Sequence, residues 1–176
     1  MTKLLKEGHH VKAYLDNDMV SALARGDMPR VTMDALERLR EMSDAGHLEL
    51  VTSEVALREI ERGKDPRLKD ADRDLEKVEI IEDQELRGFN FFGGSGGWIS
   101  SPRHEEHPTS SALRRQGLKR MDAHHLMVAV INRCDVFVTC DGGILHRRAE
   151  IERMFSIQLM RPEDLVAELT KVHPKQ

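Results

Sequence analysis

Four acidic residues lie far apart in the sequence, each at a position where a carboxylate can do chemistry. Asp16 and Asp141 each follow a short apolar run, and Asp122 precedes an apolar stretch with helical spacing. Glu59 falls on the apolar stripe of its helix, where an unpaired carboxylate costs several kcal/mol. Because carboxylates repel one another, a fold that gathers them needs a cation between them, most simply a divalent metal ion.

Each of these acids also has an ordinary structural interpretation. Asp16 and Asp122 could cap the helices that follow them, and Asp141 could open an Asp-Gly-Gly turn. Glu59 could pair with a nearby arginine or lysine at the surface. The metal site is favoured only if the fold brings all four acidic residues together at one edge of a sheet.

The elements that must position these acids alternate between strands and helices. Turn formers stop the first strand, glycine closes the helix before the second strand, and proline begins the last helix. Ser53 is a plausible N-cap. The predicted strands are 11–15, 47–52, 136–139 and 156–160, with a short one at 78–81; the predicted helices occupy about 35–45, 53–63, 68–78, 122–133, 146–154 and 162 onward.

This alternation predicts an α/β fold, a three-layer sandwich with a central parallel sheet of four to five strands. Ligands of such sheets bind beyond the carboxyl ends of the strands, where Asp16 and Asp141 are expected. A length of 176 residues fits one domain. The segment at about 88–118 is predicted to be a glycine-rich and aromatic-rich insertion in it.

Composition narrows the class of protein. The longest apolar run falls short of the roughly 18 residues that cross a bilayer, and the first ten residues lack a signal-peptide core. We therefore expect a cytoplasmic protein without a membrane partner. A formal net charge of −4 means that any nucleic-acid binding would depend on local basic groups and on metal.

The ordered acidic motifs resemble those of the PIN-domain family, in particular its toxin-type, virulence-associated-protein-C-like metal-dependent ribonucleases. The resemblance rests on Leu15-Asp16-Asn17, Ser53 with Glu59, the run 122–129 from Asp122 to Ala129, and Val138-Thr-Cys-Asp141. It spans about residues 11–170. No single motif is specific, but the ordered set with its α/β pattern is.

The resemblance implies an endoribonuclease that uses Mg²⁺ or Mn²⁺ to hydrolyse single-stranded or structured RNA. It carries over Asp16, Glu59, Asp122 and Asp141 as catalytic and metal-binding acids, with Asn17 and Thr139 in support. It further implies 5′-phosphate and 3′-hydroxyl products, a homodimer, and a toxin held silent by an antitoxin protein. Hard cations prefer such oxygen ligands, so the residue types suit the chemistry.

Basic and aromatic residues supply candidate RNA contacts. Arg120, Arg147 and Arg148 flank the acids and could neutralise phosphates, although a solvated helix face explains them equally well. Trp98, in the glycine-rich segment, could stack on an unpaired base, or that segment could pack on the body of the protein.

Two other interpretations remain at this stage. The nine histidines suggest zinc, but the pair at 104 and 107 gives two ligands where catalysis needs three. The alternative function is a PIN-like RNA-binding or protein-interaction module without turnover. A nuclease that cleaves DNA flaps is a variant of the ribonuclease.

Overall fold

A central parallel sheet organises the protein in a computed structural model, which describes residues 10–53, 56, 78–81 and 107–172. The strands are β1 (Val11–Leu15), β2 (Leu48–Ser53), β3 (Glu79–Ile81), β4 (Val136–Val138) and β5 (Gln158–Met160). Their order in the sheet is β3-β2-β1-β4-β5, and all four pairings are parallel. The described strands thus form the predicted parallel sheet, with five members.

Helices connect these strands. Within the described ranges they are α1 (Asn17–Arg25), α2 (Arg30–Asp44), α3 (Pro108–Arg115), α4 (Arg120–Ile131), α5 (Gly142–Leu145), α6 (Arg148–Met154) and α7 (Pro162–Val172). Gly26, at φ +66°, adopts the left-handed conformation that ends α1. None of the helices in these ranges has the length and apolarity needed to span a membrane.

The sheet separates two apolar clusters, which gives the three layers. Strand side chains alternate between the faces, so Ala13 and Leu15 pack with α1, α2 and α7, while Tyr14 and Phe137 pack with α3, α4, α5 and α6. Both faces of every central strand are therefore covered, as parallel sheets require. The predicted α/β, three-layer fold is confirmed.

Three local predictions need correction. Asp16, Asn17 and Asp18 end β1 as predicted, and Asp16 caps the next helix, the structural alternative given for it; that helix, which starts at Asn17, was not predicted. Helix α4 begins at Arg120, so Asp122 lies in its first turn rather than at its N-cap. The basic helix predicted at 146–154 begins at Arg148 as α6, and a separate short helix, α5, precedes it at 142–145.

Part of the predicted insertion is regular structure. Residues 108–115 form α3, whose Ser110 and Leu113 are buried against α4. His107 caps this helix by accepting a hydrogen bond from the Thr109 N–H at its Nδ1. Of the predicted helix at 53–63 the structure describes only Ser53 and Ala56, and of that at 68–78 only Val78; residues 82–106 lie outside the described residues.

Candidate acidic site at the carboxyl edge of the sheet

Asp16 follows β1, the strand at which the order of strands in the sheet reverses. The chain proceeds from β1 outward to β2 and β3 on one side, then returns to place β4 on the other side of β1. The Asp16 N–H donates to the Val138 carbonyl at 3.1 Å, so β1 and β4 stay paired to the carboxyl edge. Ligands of open parallel sheets bind at such a point.

The Asp16 carboxylate is buried, with 6% of the residue exposed. Its Oδ1 accepts from the Asn17 N–H at 2.8 Å, and its Oδ2 accepts from the Thr139 hydroxyl, also at 2.8 Å. Burial raises the pKa of the Asp16 carboxyl from 3.8 to about 6, while His125, Thr139 and the Asn17 N–H oppose that rise. The carboxylate is thus held in one orientation, but its hydrogen bonds and the nearby His125 only partly offset the cost of burying its charge.

Thr139 links two of the predicted acids. Its buried hydroxyl donates to Asp16 and accepts from the Asp141 N–H at 3.0 Å. The Asp141 carboxylate, in turn, accepts from the Ile144 N–H at 2.8 Å and caps α5. One hydroxyl therefore fixes the position of Asp141 relative to Asp16, as the sequence-based assignment of Thr139 to a supporting role requires.

Asp122 approaches the same place from α4. Burial, and next the negative charge of Asp141, raise the pKa of the Asp122 carboxyl. Lys119, His125 and the Lys119 backbone oppose that rise. The repulsion shows that Asp122 and Asp141 are within electrostatic reach of each other, on different elements.

Asn17 differs from its expected role. It supports Asp16 through its backbone N–H, while its buried amide oxygen has no hydrogen-bond partner among the residues that the structure describes. A buried amide oxygen ordinarily finds a donor or a cation. The oxygen thus fits a hydrated hard cation next to Asp16.

His125 is a further residue close to the acids. Both adjacent histidines of α4 are buried, with His124 1% and His125 2% exposed. His125 lies one turn after Asp122, its Nδ1 is 2.9 Å from the Tyr14 hydroxyl, and it acts electrostatically on both Asp16 and Asp122. The spacing of three residues from Asp122, which puts both on one helix face, was the available signal.

The remaining predicted residues are distributed as follows. Arg120 is exposed at the start of α4, and Arg148 pairs with Glu152 at 2.8 Å within α6. Arg147 donates to two backbone carbonyls. Glu59 and Trp98 lie outside the described residues.

The donor types fit a divalent metal ion. Three carboxylates and an amide oxygen are hard ligands of the kind that Mg²⁺ and Mn²⁺ prefer, and a cation would offset the burial that raises the pKa of Asp16 and Asp122. Within the described ranges, however, no group of three His, Cys, Asp or Glu side chains is arranged to hold a metal by itself. Further donors would have to come from water, from substrate or from the part of the chain that contains Glu59.

A comparison with known protein structures finds the same α/β fold. No family model matches the chain, and no curated protein matches it. Its fold is similar to that of a chain in the crystal structure of VapBC2 from Rickettsia felis bound to a DNA fragment from their promoter. The TM-score is 0.54 at 13% sequence identity, with 86% of this chain and 98% of that chain covered. This likeness shows the α/β fold that the two proteins share.

Proposed function

We propose that this protein is a metal-dependent endoribonuclease of the PIN type. The observation that carries the proposal is the hydrogen-bonded chain from Asp16 through Thr139 to Asp141, with Asp122 close enough to Asp141 to feel its charge. Acids from three elements are thereby drawn to the edge of the sheet where ligands of this architecture bind.

The ion would be Mg²⁺ or Mn²⁺, held by Asp16, Asp122 and Asp141, with Glu59 as a further acid. When bound, it supplies the positive charge that activates a water molecule and stabilises the departing 3′ oxygen. The protein's own residues prepare that site. Thr139 orients Asp16, the α5 cap orients Asp141, and Asn17 adds an amide oxygen.

Substrate contacts belong to the same proposal. Arg120 is exposed on the helix that carries Asp122, where its charge can attract RNA phosphates. Trp98 is proposed to stack on an unpaired base. We place the activity in the cytoplasm.

Partner proteins are also part of the proposal. The likeness to a chain of VapBC2 supports assignment as a toxin whose activity a protein antitoxin suppresses. An antitoxin segment that fills the acidic groove would compete with RNA. A homodimer is expected from the family resemblance.

A single substitution tests the catalytic part. We expect Mn²⁺-dependent, chelator-sensitive cleavage of single-stranded RNA, reduced at least about 100-fold by Asp16→Asn, because even groups that only orient metal ligands cost about 10- to 100-fold. Thr139→Val should cost less than Asp16→Asn. Asp34→Asn is the matched control, since Asp34 is exposed on α2.

The alternative function is a PIN-like binding module without turnover. The incomplete metal cluster among the described residues favours it. Absence of Mn²⁺ binding in calorimetry, together with uncleaved RNA and unchanged RNA affinity in Asp16→Asn, would replace the nuclease proposal with this one. Competition between RNA and DNA flap substrates would identify the preferred nucleic acid.

A further inference from the structure

The Arg147 side chain joins two segments of backbone that lie far apart in the sequence. Its Nε donates to the Gln116 carbonyl at 2.6 Å, and its Nη1 donates to the Gly143 carbonyl at 2.6 Å. A planar guanidinium can serve two acceptors in fixed directions, which a lysine ammonium on a single flexible stem does not do. Arg147 therefore acts as a rigid bridge between residues 116 and 143.

Both bridged segments lead to proposed metal ligands. Gln116 ends α3 and precedes the turn into α4, which carries Asp122 in its first turn. Gly143 lies in α5, whose cap is Asp141. The bridge thus joins the turn that leads into α4 to α5, and these two helices carry the carboxylates that repel each other.

Gly117 provides the space for this bridge. Its φ of +83° favours glycine, and a Cβ at this position would lie 3.0 Å from Nη2 and 3.2 Å from Nε of Arg147. The guanidinium is therefore packed directly against the α3 to α4 turn. The backbone conformation of Gly117 and the packing of Arg147 therefore both require glycine in the turn between α3 and α4.

We propose that Arg147 is a positioning residue that sets the separation of Asp122 and Asp141 for a shared cation. This inference rests on the proposed function, and it replaces phosphate contact as the role of Arg147. Two of its N–H groups are already directed at backbone carbonyls.

Arg147→Lys tests the proposal because it preserves the charge and loses the two-carbonyl geometry. We expect Mn²⁺ affinity, measured by titration calorimetry, to fall about 10- to 100-fold, as for other groups that orient metal ligands. With saturating Mn²⁺, the KM for RNA should stay at its wild-type value, whereas loss of a phosphate contact would raise KM and make it less dependent on salt concentration. Arg153→Lys, an exposed arginine on α6, is the matched control.

A second measurement does not depend on metal. The Ile144 N–H is held by the Asp141 carboxylate, so its hydrogen exchange reports where Asp141 sits. Arg147→Lys should speed that exchange by about 10-fold, the effect expected from a lost hydrogen bond to a charged group. Gly117→Ala, which pushes on the guanidinium without removing it, should speed it as well.

The outcomes separate the two proposals. Wild-type Mn²⁺ affinity and wild-type Ile144 exchange in Arg147→Lys would overturn the positioning role, as would a raised KM alone. A wild-type protein that binds no Mn²⁺ would overturn the nuclease proposal, and Ile144 exchange in the metal-free variants would still decide whether Arg147 positions Asp141.

Discussion

Asp16 illustrates how a fold can retain a residue whose ionised form is unfavourable for folding. The fold buries its carboxylate and gives it two hydrogen bonds, yet the pKa of the group still rises to about 6. An ionised Asp16 therefore destabilises the metal-free protein near neutral pH. A bound cation would reverse that effect, which ties the position of this acid to ligand binding.

The pH dependence of stability tests this assignment. Because the folded pKa of about 6 exceeds the ordinary 3.8, the stability contributed by neutral Asp16 is complete below about pH 4 and is lost as pH rises through 6. We expect that loss to be on the order of 3 kcal/mol in wild-type protein and absent in Asp16→Asn.

Urea unfolding in the presence of chelator, at several pH values from 4 to 8, measures the difference. Asp34→Asn should retain the wild-type profile. Parallel profiles for wild type and Asp16→Asn would show that Asp16 ionises as freely as a surface carboxylate.

Two adjacent glycines give a second test at this scale. A Cβ on Gly143 would lie 2.9 Å from Oδ1 of Asp141, whereas a Cβ on Gly142 would meet no atom within 4 Å. Gly143→Ala should displace the Asp141 carboxylate from its cap and destabilise the protein by about 1 kcal/mol. Gly142→Ala should be neutral or stabilising by up to about 1 kcal/mol.

Urea unfolding and Mn²⁺ titration of both variants measure these effects. Mn²⁺ affinity should fall only in Gly143→Ala. Equal stability and equal affinity in the two variants would mean that Asp141 can leave its present position without consequence.

At the scale of elements, the Tyr14 hydroxyl joins three of them. It donates to the Ser53 hydroxyl at 2.8 Å and lies 2.9 Å from Nδ1 of His125, so β1, the end of β2 and α4 meet at one oxygen. The Ser53 oxygen also accepts from the Ala56 N–H at 3.3 Å, as the predicted N-cap requires. The Tyr14 ring stacks on Phe137 of β4 with centroids 5.3 Å apart.

Tyr14→Phe removes only that oxygen and keeps the ring stacked on Phe137. We expect destabilisation of about 1 to 3 kcal/mol, since buried partners lose a hydrogen bond. Urea unfolding measures it. Thr170→Ala removes an exposed hydroxyl and should change stability by less than about 0.5 kcal/mol. A similar small effect in Tyr14→Phe would mean that packing alone holds the three elements together.

Some elements could be predicted from sequence and others could not, for physical reasons. The strands at 11–15 and 136–138 are short apolar runs with clear stops, so their existence followed from composition. Helix α1 was missed because Asp16, Asn17 and Asp18 favour turns and helix caps equally. The burial of both histidines was missed because α4 is covered on its outer side by α3, which was assigned to an insertion.

For the whole molecule, the sequence predicted which edge of the sheet carries the acids. It did not predict the order of the strands or the side-chain contacts at that edge. Parallel strands place their carboxyl ends together, so Asp16 and Asp141 were expected at one edge. The placement of β4 beside β1, rather than beside β3, depends on contacts between distant parts of the chain. The Arg147 bridge depends on side-chain directions that a sequence pattern does not contain.

The hydrogen bond between Asp16 and Thr139 joins residues 123 positions apart in the chain. During translation, Asp16 therefore leaves the ribosome long before the residues that orient it, and β1 first meets β4 only when most of the polypeptide has been made. Pairings between such distant strands also form slowly. A nascent chain that ends before β4 consequently lacks the assembled acidic edge.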